Sequence, residues 1–239
     1  MGVFIVFEGG EGSGKSTQAR ALYQRLLLEG YSSLMLHEPG GTPLGEQVRR
    51  LLKSQQGGAE RSTKSRGQPV IGPIAELLLF SASRIQLVEN VLRPALNEGR
   101  VVVCDRFTPS TVAYQGHGRG VPLVTIETLN GLTTQGLGMD QVVLLDIAPE
   151  EGLRRVNAQV SMTLGDENAE NVRLDEEGYR RFEEEPLSFH RKVRQSYLRM
   201  AKEDPDRWLI VNASLPQEEI SEMIWQHVEP VVRDRLKLD

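Results

Sequence analysis

A glycine-rich segment near the start of the chain constrains the fold more than any other feature. Residues 9–17 read GGEGSGKST and fit the pattern G-x-x-x-x-G-K-[ST]. An apolar run at residues 3–7 precedes the segment, and apolar residues at helical spacing follow it. A strand, a glycine-rich loop and a helix in this order predict a P-loop that holds a nucleoside triphosphate.

The residue types of this segment suit a cluster of phosphate oxygens. Glycines let backbone N–H groups turn inward without Cβ clashes, and the start of the next helix adds partial positive charge. Lys15 offers a cation to the β and γ phosphates, and the hydroxyl of Ser16 is placed to ligate Mg²⁺. The predicted triphosphate-binding residues are Gly9, Gly10, Glu11, Gly12, Ser13, Gly14, Lys15, Ser16 and Thr17.

Short apolar runs alternate with helical patterns along the rest of the chain. The predicted strands are 3–8, 33–37, 101–105, 141–147 and 208–211. The predicted helices are 16–29, 44–53, 74–98, 122–134, 149–159, 176–202 and 216–236. This alternation predicts an α/β fold of the three-layer P-loop NTPase type, in which helices flank a five-stranded parallel sheet and ligands gather at the carboxyl ends of the strands.

Two polar segments interrupt the alternation. Residues 53–73 are Gly-rich and locally basic, and are predicted to form a mobile loop, either a tolerated surface insertion or a segment that contacts substrate. Residues 161–172 are polar and aperiodic, and suit a lid, which we place at about 157–175. Because 239 residues can bury one sizeable core, we predict a single domain over residues 1–239.

Composition argues against several classes of function. A net charge of −5 disfavours general nucleic-acid binding, which needs a basic face. No apolar run approaches the ~20 residues that span a bilayer, and the first residues lack the basic start of a signal peptide. The single cysteine, Cys104, lies in an apolar strand pattern and is predicted to be buried and inert. We expect a cytoplasmic protein with neither nucleic acid nor membrane as a partner.

Polar residues follow two of the predicted strands. His37 and Glu38 lead into a Pro-Gly-Gly-Thr turn after the second strand, and Asp105 and Arg106 come at the end of the third. Asp105 could hold Mg²⁺, directly or through water, while Arg106 binds a second phosphate. Taken alone, the pair could equally be an ion pair that caps a strand.

Taken in order, these motifs resemble those of bacterial thymidylate kinases. The segments that carry the resemblance are EGGEGSGKST at 8–17, EPGGT at 38–42, LFSASR at 79–84, DRF at 105–107 and STVAYQGHGRG at 110–120. Weaker matches follow at LLDI (144–147), RLD (173–175), Phe182, Val193, Tyr197 and VNAS (211–214). The resemblance therefore covers nearly the whole chain.

The resemblance implies a homodimeric enzyme that uses Mg²⁺ and transfers the γ-phosphoryl group of ATP to dTMP, giving dTDP. It implies that Glu11 binds the sugar 3′-hydroxyl, that Phe80 stacks on thymine and that Arg84 bonds a base carbonyl. Gln115 would pair with the edge of thymine, and Tyr114 would exclude a ribose 2′-hydroxyl. The implied substrate-binding residues are Glu11, Glu38, Phe80, Arg84, Arg106, Ser110, Thr111, Tyr114 and Gln115.

Residue type alone gives a plainer interpretation of two of these positions. Without the resemblance, Phe80 would be a core residue and Arg84 a solvated charge.

The resemblance also assigns the catalytic residues. Lys15 and Arg106 would supply positive charge to the transferred phosphoryl group, and Ser16 and Asp105 would hold Mg²⁺. A further cation is expected from the lid, because the P-loop has Ser13 where some relatives have arginine.

Residues 161–172 contain no arginine. Arg173, just after them, is the predicted lid cation and completes the catalytic set of Lys15, Asp105, Arg106 and Arg173. Arg154 and Arg155, on the helix before the lid, are the alternatives.

Other functions stay open at this point. A related kinase could act on another nucleotide or nucleoside, with Phe80, Arg84 and Gln115 reading a different base. A P-loop ATPase switch is a third possibility, although the chain has no obvious Asn-Lys-x-Asp segment and little room for an effector domain. His37 stands where relatives commonly have arginine, and either makes phosphate binding pH-dependent or packs at the strand end.

Overall fold

Five short apolar segments form one parallel sheet in a computed structural model, which describes residues 2–53, 71–164 and 180–236. The sheet order is β2-β3-β1-β4-β5, and every neighbouring pair is parallel. All residues of the central strand β1 are buried, as expected for a strand covered on both faces. The predicted α/β fold is confirmed, with strands β1 Val3–Gly9, β2 Ser33–His37, β3 Val101–Asp105, β4 Gln141–Asp146 and β5 Trp208–Asn212.

Helices cover both faces of this sheet. Two stretches with the wider π-helical spacing, Val88–Leu92 and Val112–Gly118, continue α3 into α4 and extend α5. The α-helices are α1 Lys15–Leu28, α2 Pro43–Lys53, α3 Pro73–Leu87, α4 Arg93–Asn97, α5 Thr108–Thr111, α6 Leu123–Thr134, α7 Pro149–Leu164, α8 Arg180–Glu183, α9 Leu187–Glu203 and α10 Gln217–Leu236. Among the described residues, no helix is both long and apolar enough to cross a membrane.

Alternate residues of β1 supply the two main cores. Val3, Ile5 and Phe7 pack on one face, against α1 and α10. Phe4 and Val6 pack on the opposite face, against the helical run from α3 to α4. Because successive strand residues point to opposite sides, a continuous apolar run is what a strand between two layers requires.

The structure corrects three element predictions. The described part of the predicted helix 176–202, which begins at Arg180, forms the two helices α8 and α9 instead, because Pro186 favours a helix start over a helix interior. Residues 161–164, predicted to be aperiodic, form the last turn of α7. The segment Thr108 to Gly118, for which no helix was predicted, is helical, with Pro109 in its first turn.

Two predictions fall largely outside the described residues. The loop predicted at 53–73 lies mostly on residues 54–70, and the lid predicted at about 157–175 lies mostly on residues 165–179. The single domain over residues 1–239 likewise stays a prediction.

The start of α7 contacts the glycine-rich loop backbone to backbone. A Cβ atom on Gly152 would lie 2.2 Å from the carbonyl oxygen of Glu11, and one on Gly12 would lie 2.1 Å from the carbonyl oxygen of Gly152. Gly12 also has a φ of +68°, which other residues rarely adopt. The loop is therefore held against α7 at a distance that excludes any side chain at either glycine.

We expect Gly152→Ala to destabilise the protein, because either the loop or α7 must shift to admit the methyl group. Strain of this kind costs about 1–3 kcal/mol in the free energy of unfolding, measurable by urea denaturation. Gly138→Ala is the control, since no atom of the described residues, apart from the two chain neighbours, lies within 4 Å of a Cβ built at Gly138. Equal stability of the two variants would contradict the close contact.

Candidate functional site

The carboxyl ends of three adjacent strands bring the predicted polar residues together. Strand β3 lies between β1 and β2, and Asp105 pairs in register with both Phe7 and His37. The residues that follow each strand therefore meet at one edge of the sheet. In parallel α/β folds this edge is where ligands bind.

Lys15 is held inside the glycine-rich loop. Its Nζ atom donates to the carbonyl oxygen of Gly10 at 2.8 Å, and the residue is 6% exposed. Burial lowers the pKa of Lys15 to about 8, and the neighbouring Arg106 acts in the same direction, while Glu11 and Asp105 oppose it. An anion in the loop would favour the charged form of this lysine.

The start of α1 adds to the anion-binding character of the loop. Gly14 precedes the helix with a φ of +83°, and no described side chain caps the helix N-terminus. Backbone N–H groups at the start of a helix carry partial positive charge and suit phosphate oxygens.

Ser16 and Asp105 fit a magnesium site. The hydroxyl of Ser16 donates a close hydrogen bond to Oδ2 of Asp105. The other carboxylate oxygen, Oδ1, is buried and accepts no hydrogen bond from any described residue. A buried carboxylate oxygen without a partner is costly, and hard oxygen ligands are those that Mg²⁺ prefers.

Arg106 lies at the centre of the site in an unusual backbone conformation. Its φ is 73°, in the left-handed region, and its backbone N–H donates to the carbonyl oxygen of Phe7 at 3.0 Å. The guanidinium donates to Oε1 of Glu11 at 3.0 Å, to Tyr114 OH at 3.1 Å and to Ser110 Oγ at 3.1 Å. Strain of roughly 1–3 kcal/mol persists only where the surroundings fix the conformation, as these contacts do.

Glu11 faces this arginine from the glycine-rich loop. Its Oε1 atom also accepts a hydrogen bond from Tyr114 OH at 2.6 Å. Burial alone would raise the pKa of Glu11, but Arg106 and Lys15 outweigh it and lower this pKa to about 2. Glu11 is therefore ionised at neutral pH and can accept a hydrogen bond from a hydroxyl group.

Glu8 anchors the segment after β3, a function that the sequence analysis missed. This fully buried carboxylate accepts hydrogen bonds from Phe107 N at 2.9 Å, Ser110 Oγ at 2.7 Å and Tyr197 OH at 2.7 Å. Burial raises the pKa of Glu8, and Arg106 and these hydrogen bonds partly offset the effect. An acidic residue at the end of an otherwise apolar strand was the signal that could have identified it.

One cavity, which we call the inner cavity, gathers all of the predicted substrate-binding residues. Two additional residues, Pro39 and Phe182, complete its wall. The predicted residues that line it are Glu11, Glu38, Phe80, Arg84, Arg106, Ser110, Thr111, Tyr114 and Gln115.

Arg84 is buried in this wall, so the interpretation of it as a solvated charge is wrong. Its side chain is 1% exposed and donates to Glu38 at 2.7 and 2.9 Å. It also donates to Thr111 Oγ1 at 2.9 Å and to Asn130 Oδ1 at 2.8 Å. A buried arginine needs such partners, and three groups fix the orientation of its guanidinium plane.

A second cavity, the phosphate-loop cavity, adjoins the inner cavity. Glu11, Glu38 and Arg106 line both. The other residues of its wall are Gly12, Gly14, Lys15, Ser16, Thr17, His37, Arg49, Asp105, Arg155, Val156 and Glu183. The two cavities therefore meet at a boundary formed by an arginine and two carboxylates.

The candidate lid arginines occupy different environments. Arg155 lines the phosphate-loop cavity and donates to the carbonyl oxygen of Ala213 at 2.9 Å. The side chain of Arg154 is 70% exposed and pairs with Glu151. Arg173 lies outside the described residues.

Two further basic side chains reach the phosphate-loop cavity. Arg49, which no sequence pattern singled out, donates to the carbonyl oxygen of Pro39 at 2.9 Å. His37 lies with Nε2 3.1 Å from Oε1 of Glu46, and burial together with Arg49 lowers its pKa. His37 therefore packs at the strand end and also forms part of the cavity wall.

Comparison with known proteins identifies relatives across almost the entire chain. A family model described as thymidylate kinase matches residues 7–224. A thymidylate kinase from Dehalococcoides mccartyi (strain CBDB1) is 42% identical over 228 residues, which cover 95% of this chain and 96% of the relative. A thymidylate kinase from Pelobacter propionicus is 42% identical over 236 residues, which cover 99% of this chain and 96% of the relative.

A solved structure agrees with these sequence relatives. The crystal structure of thymidylate kinase from Ehrlichia chaffeensis matches with a TM-score of 0.66 at 27% identity, covering 95% of this chain and 98% of that one. Since the family model, the sequence relatives and the solved structure agree over nearly the full length, the chain belongs to the thymidylate kinase family.

Proposed function

We propose that this chain transfers the γ-phosphoryl group of ATP to dTMP, giving ADP and dTDP. The proposal rests on one observation: the phosphate-loop cavity and the inner cavity adjoin each other and share Glu11, Glu38 and Arg106. One cavity is built for phosphates and the other has aromatic, amide and hydroxyl groups that suit a nucleoside. Family membership supports the same reaction.

On the donor side, the loop and Lys15 would bind the β and γ phosphates of ATP. Ser16 and Asp105 would hold Mg²⁺, whose charge offsets that of the phosphates. The buried free oxygen of Asp105 supports this role, since a cation would satisfy it.

On the acceptor side, Arg106 would bind the phosphate of dTMP and Glu11 the sugar 3′-hydroxyl. Tyr114, which donates to Glu11 at 2.6 Å, would occupy the space of a ribose 2′-hydroxyl and so favour deoxyribose. Phe80 would stack on thymine, while Arg84 and Gln115 would bond its polar edge. Glu38, Ser110 and Thr111 would hold these groups in place through the hydrogen bonds described above.

The reaction needs no strong general base, because the acceptor phosphate is already ionised near neutral pH. Catalysis would come from positioning and from positive charge around the transferred group. Lys15 and Arg106 would supply this charge, and Arg155 is placed to contribute from the wall of the phosphate-loop cavity. The role of Arg173 as a lid cation stays a prediction.

We also propose that the protein is a cytoplasmic homodimer. Its nucleotide substrates support the location. Apolar side chains on the outer faces of the packed helices α3 and α6 support the dimer, since they are exposed in a single chain. These side chains are Ile74, Leu78, Leu123, Val124 and Leu132, whereas Leu77 and Leu87 of α3 belong to the core.

The reaction can be tested by ADP release in the presence of each nucleoside monophosphate. We expect dTMP to stimulate release from ATP more than any other acceptor, with dTDP as the product. A larger response to another monophosphate would reassign the inner cavity, and release driven only by a macromolecule would indicate a switch ATPase.

Arg106→Ala should separate acceptor binding from donor binding. Loss of one charge-stabilising donor at such a site costs about 100- to 1,000-fold in kcat/KM for dTMP. The Kd of a non-hydrolysable ATP analogue should stay close to the wild-type value. Arg191→Ala, which removes an arginine from an exposed pair with Glu150, is the control and should change neither quantity. Parallel losses in both quantities would contradict an acceptor-side role.

Light scattering should give twice the 26.7 kDa mass of one chain. Val124→Glu places a charge on the exposed face of α6, where Val124 is 68% exposed, and should yield monomers. Leu28→Glu is the matched control, because Leu28 is 87% exposed on α1 and away from this face. A monomeric wild-type protein, or dissociation by both variants, would refute the interface.

A further inference from the structure

The amide of Gln115 presents a hydrogen-bond donor on one side and an acceptor on the other, and the structure fixes which side faces the inner cavity. Gln115 is 2% exposed and lies in the π-helical segment Val112–Gly118. Its Nε2 atom donates to Oε1 of Glu76 at 2.7 Å. Glu76 is fully buried in the first turn of α3.

The chemistry of Glu76 determines the direction of this amide. Oε1 of Glu76 also lies 3.4 Å from Nε of Arg119, which can only donate. An oxygen that accepts from arginine offers lone pairs to Gln115 as well, so the amide nitrogen must face it. The reversed amide would place two acceptor oxygens at hydrogen-bond distance, which is repulsive.

Arg119 restricts the movement of Glu76. It makes a second ion pair with Glu185, beyond α8, and its guanidinium carbon lies 5.1 Å from the ring centroid of Phe189 and 5.5 Å from that of Phe182. An arginine held by an ion pair and two aromatic faces provides a fixed counter-charge for Glu76. Glu76 therefore orients the amide of Gln115, and Arg119 in turn holds Glu76 in place.

The carbonyl oxygen of Gln115 is left for a ligand. Gln115 lines the inner cavity, and no described residue donates a hydrogen bond to its Oε1 atom. Arg84, on the same wall, has donors and no acceptor, and its hydrogen bonds to Glu38, Thr111 and Asn130 leave one of the two hydrogens on its Nη1 atom. The cavity therefore offers one acceptor and one donor to the polar edge of a base.

This pattern distinguishes the pyrimidines. Thymine and uracil carry an N–H donor at N3 beside an acceptor at O4, and match both groups. Cytosine carries an acceptor at N3 beside an amino donor at C4. Its N3 would face the carbonyl oxygen of Gln115, acceptor against acceptor, and its amino group would face Arg84, donor against donor. An unpaired buried polar group typically costs about 1–3 kcal/mol, so this mismatch discriminates strongly.

We propose that Glu76 is a positioning residue that sets base specificity, because it fixes the amide of Gln115 so that the carbonyl faces the base. Glu76 touches neither substrate nor reacting atoms in this role. The inference rests on the proposed function, in which the inner cavity takes dTMP.

The test compares kcat/KM for dTMP with that for dCMP in the wild-type protein and in Glu76→Gln. A glutamine at position 76 lacks the negative charge and one of the two acceptor oxygens, and its amide can present a donor to Gln115, so the amide of Gln115 is no longer held in one direction. We expect the dTMP-to-dCMP ratio to fall by about tenfold or more, mainly through KM for the nucleotide, while KM for ATP stays unchanged. A ratio equal to that of the wild type would overturn the proposal.

Matched variants separate this role from a structural one. Glu185→Gln breaks the other ion pair of Arg119 but leaves the bond between Glu76 and Gln115, and should lower the ratio much less than Glu76→Gln does. An equal fall of the ratio in Glu185→Gln would overturn the proposal in favour of general loosening. Glu76→Met removes the acceptor without adding a donor, and provides a second test of the same ratio should Glu76→Gln fail to fold.

Calorimetric affinities for dTMP and dCMP give a readout that does not depend on turnover. They should show the same fall in selectivity in Glu76→Gln, and unchanged selectivity would count against the role of Glu76. A wild-type protein that does not phosphorylate dTMP would refute the proposed function itself, which is a different result from unchanged selectivity in the variants.

Discussion

The site depends on the balance of charge around Arg106. Burying this guanidinium alone would be costly, and so would burying Glu8 or Glu11 without it. Glu11 bonds it directly at 3.0 Å, and Glu8 fixes the segment that carries it through Ser110 and Tyr197. Because Glu8 lies in β1 and Glu11 in the loop that follows it, the arginine after β3 is tied to the neighbouring strand. The contact of Arg106 with Glu11 and the anchoring of its segment by Glu8 therefore fix the geometry of the boundary between the two cavities.

Much of this arrangement was predictable from local patterns. The strands could be predicted because buried parallel strands are apolar throughout. The glycine-rich loop could be predicted because the spacing of its glycines, lysine and serine is that of a phosphate-binding loop. The predicted substrate-binding residues share one cavity, although their individual roles remain predictions. Two supporting carboxylates, Glu8 and Glu76, were missed, because their function depends on partners that are distant in sequence. Glu8 bonds a residue 189 positions away, and Glu76 bonds one 39 positions away.

Two kinds of residue therefore build the inner cavity. Phe80 and Tyr114 present groups to the cavity, and residue type gives some indication of what they can bind. Others, such as Glu38 and Glu76, hold a neighbour in one orientation, and only their contacts reveal the role. Arg84 lines the cavity and is itself held by Glu38 at 2.7 Å. Selectivity in such a site lies as much in the supporting residues as in those that face the ligand.

The π-helical segment Val112–Gly118 has a consequence for how this site can change in evolution. Its backbone hydrogen bonds join residues five apart, one residue further than in an α-helix. Deleting a single residue there would restore α-helical spacing, so the side chains of the segment could not all keep their present directions. Gln115 or Tyr114 would then leave the cavity wall. Exchange of one side chain along the segment leaves this spacing intact, whereas a change in the length of the segment does not.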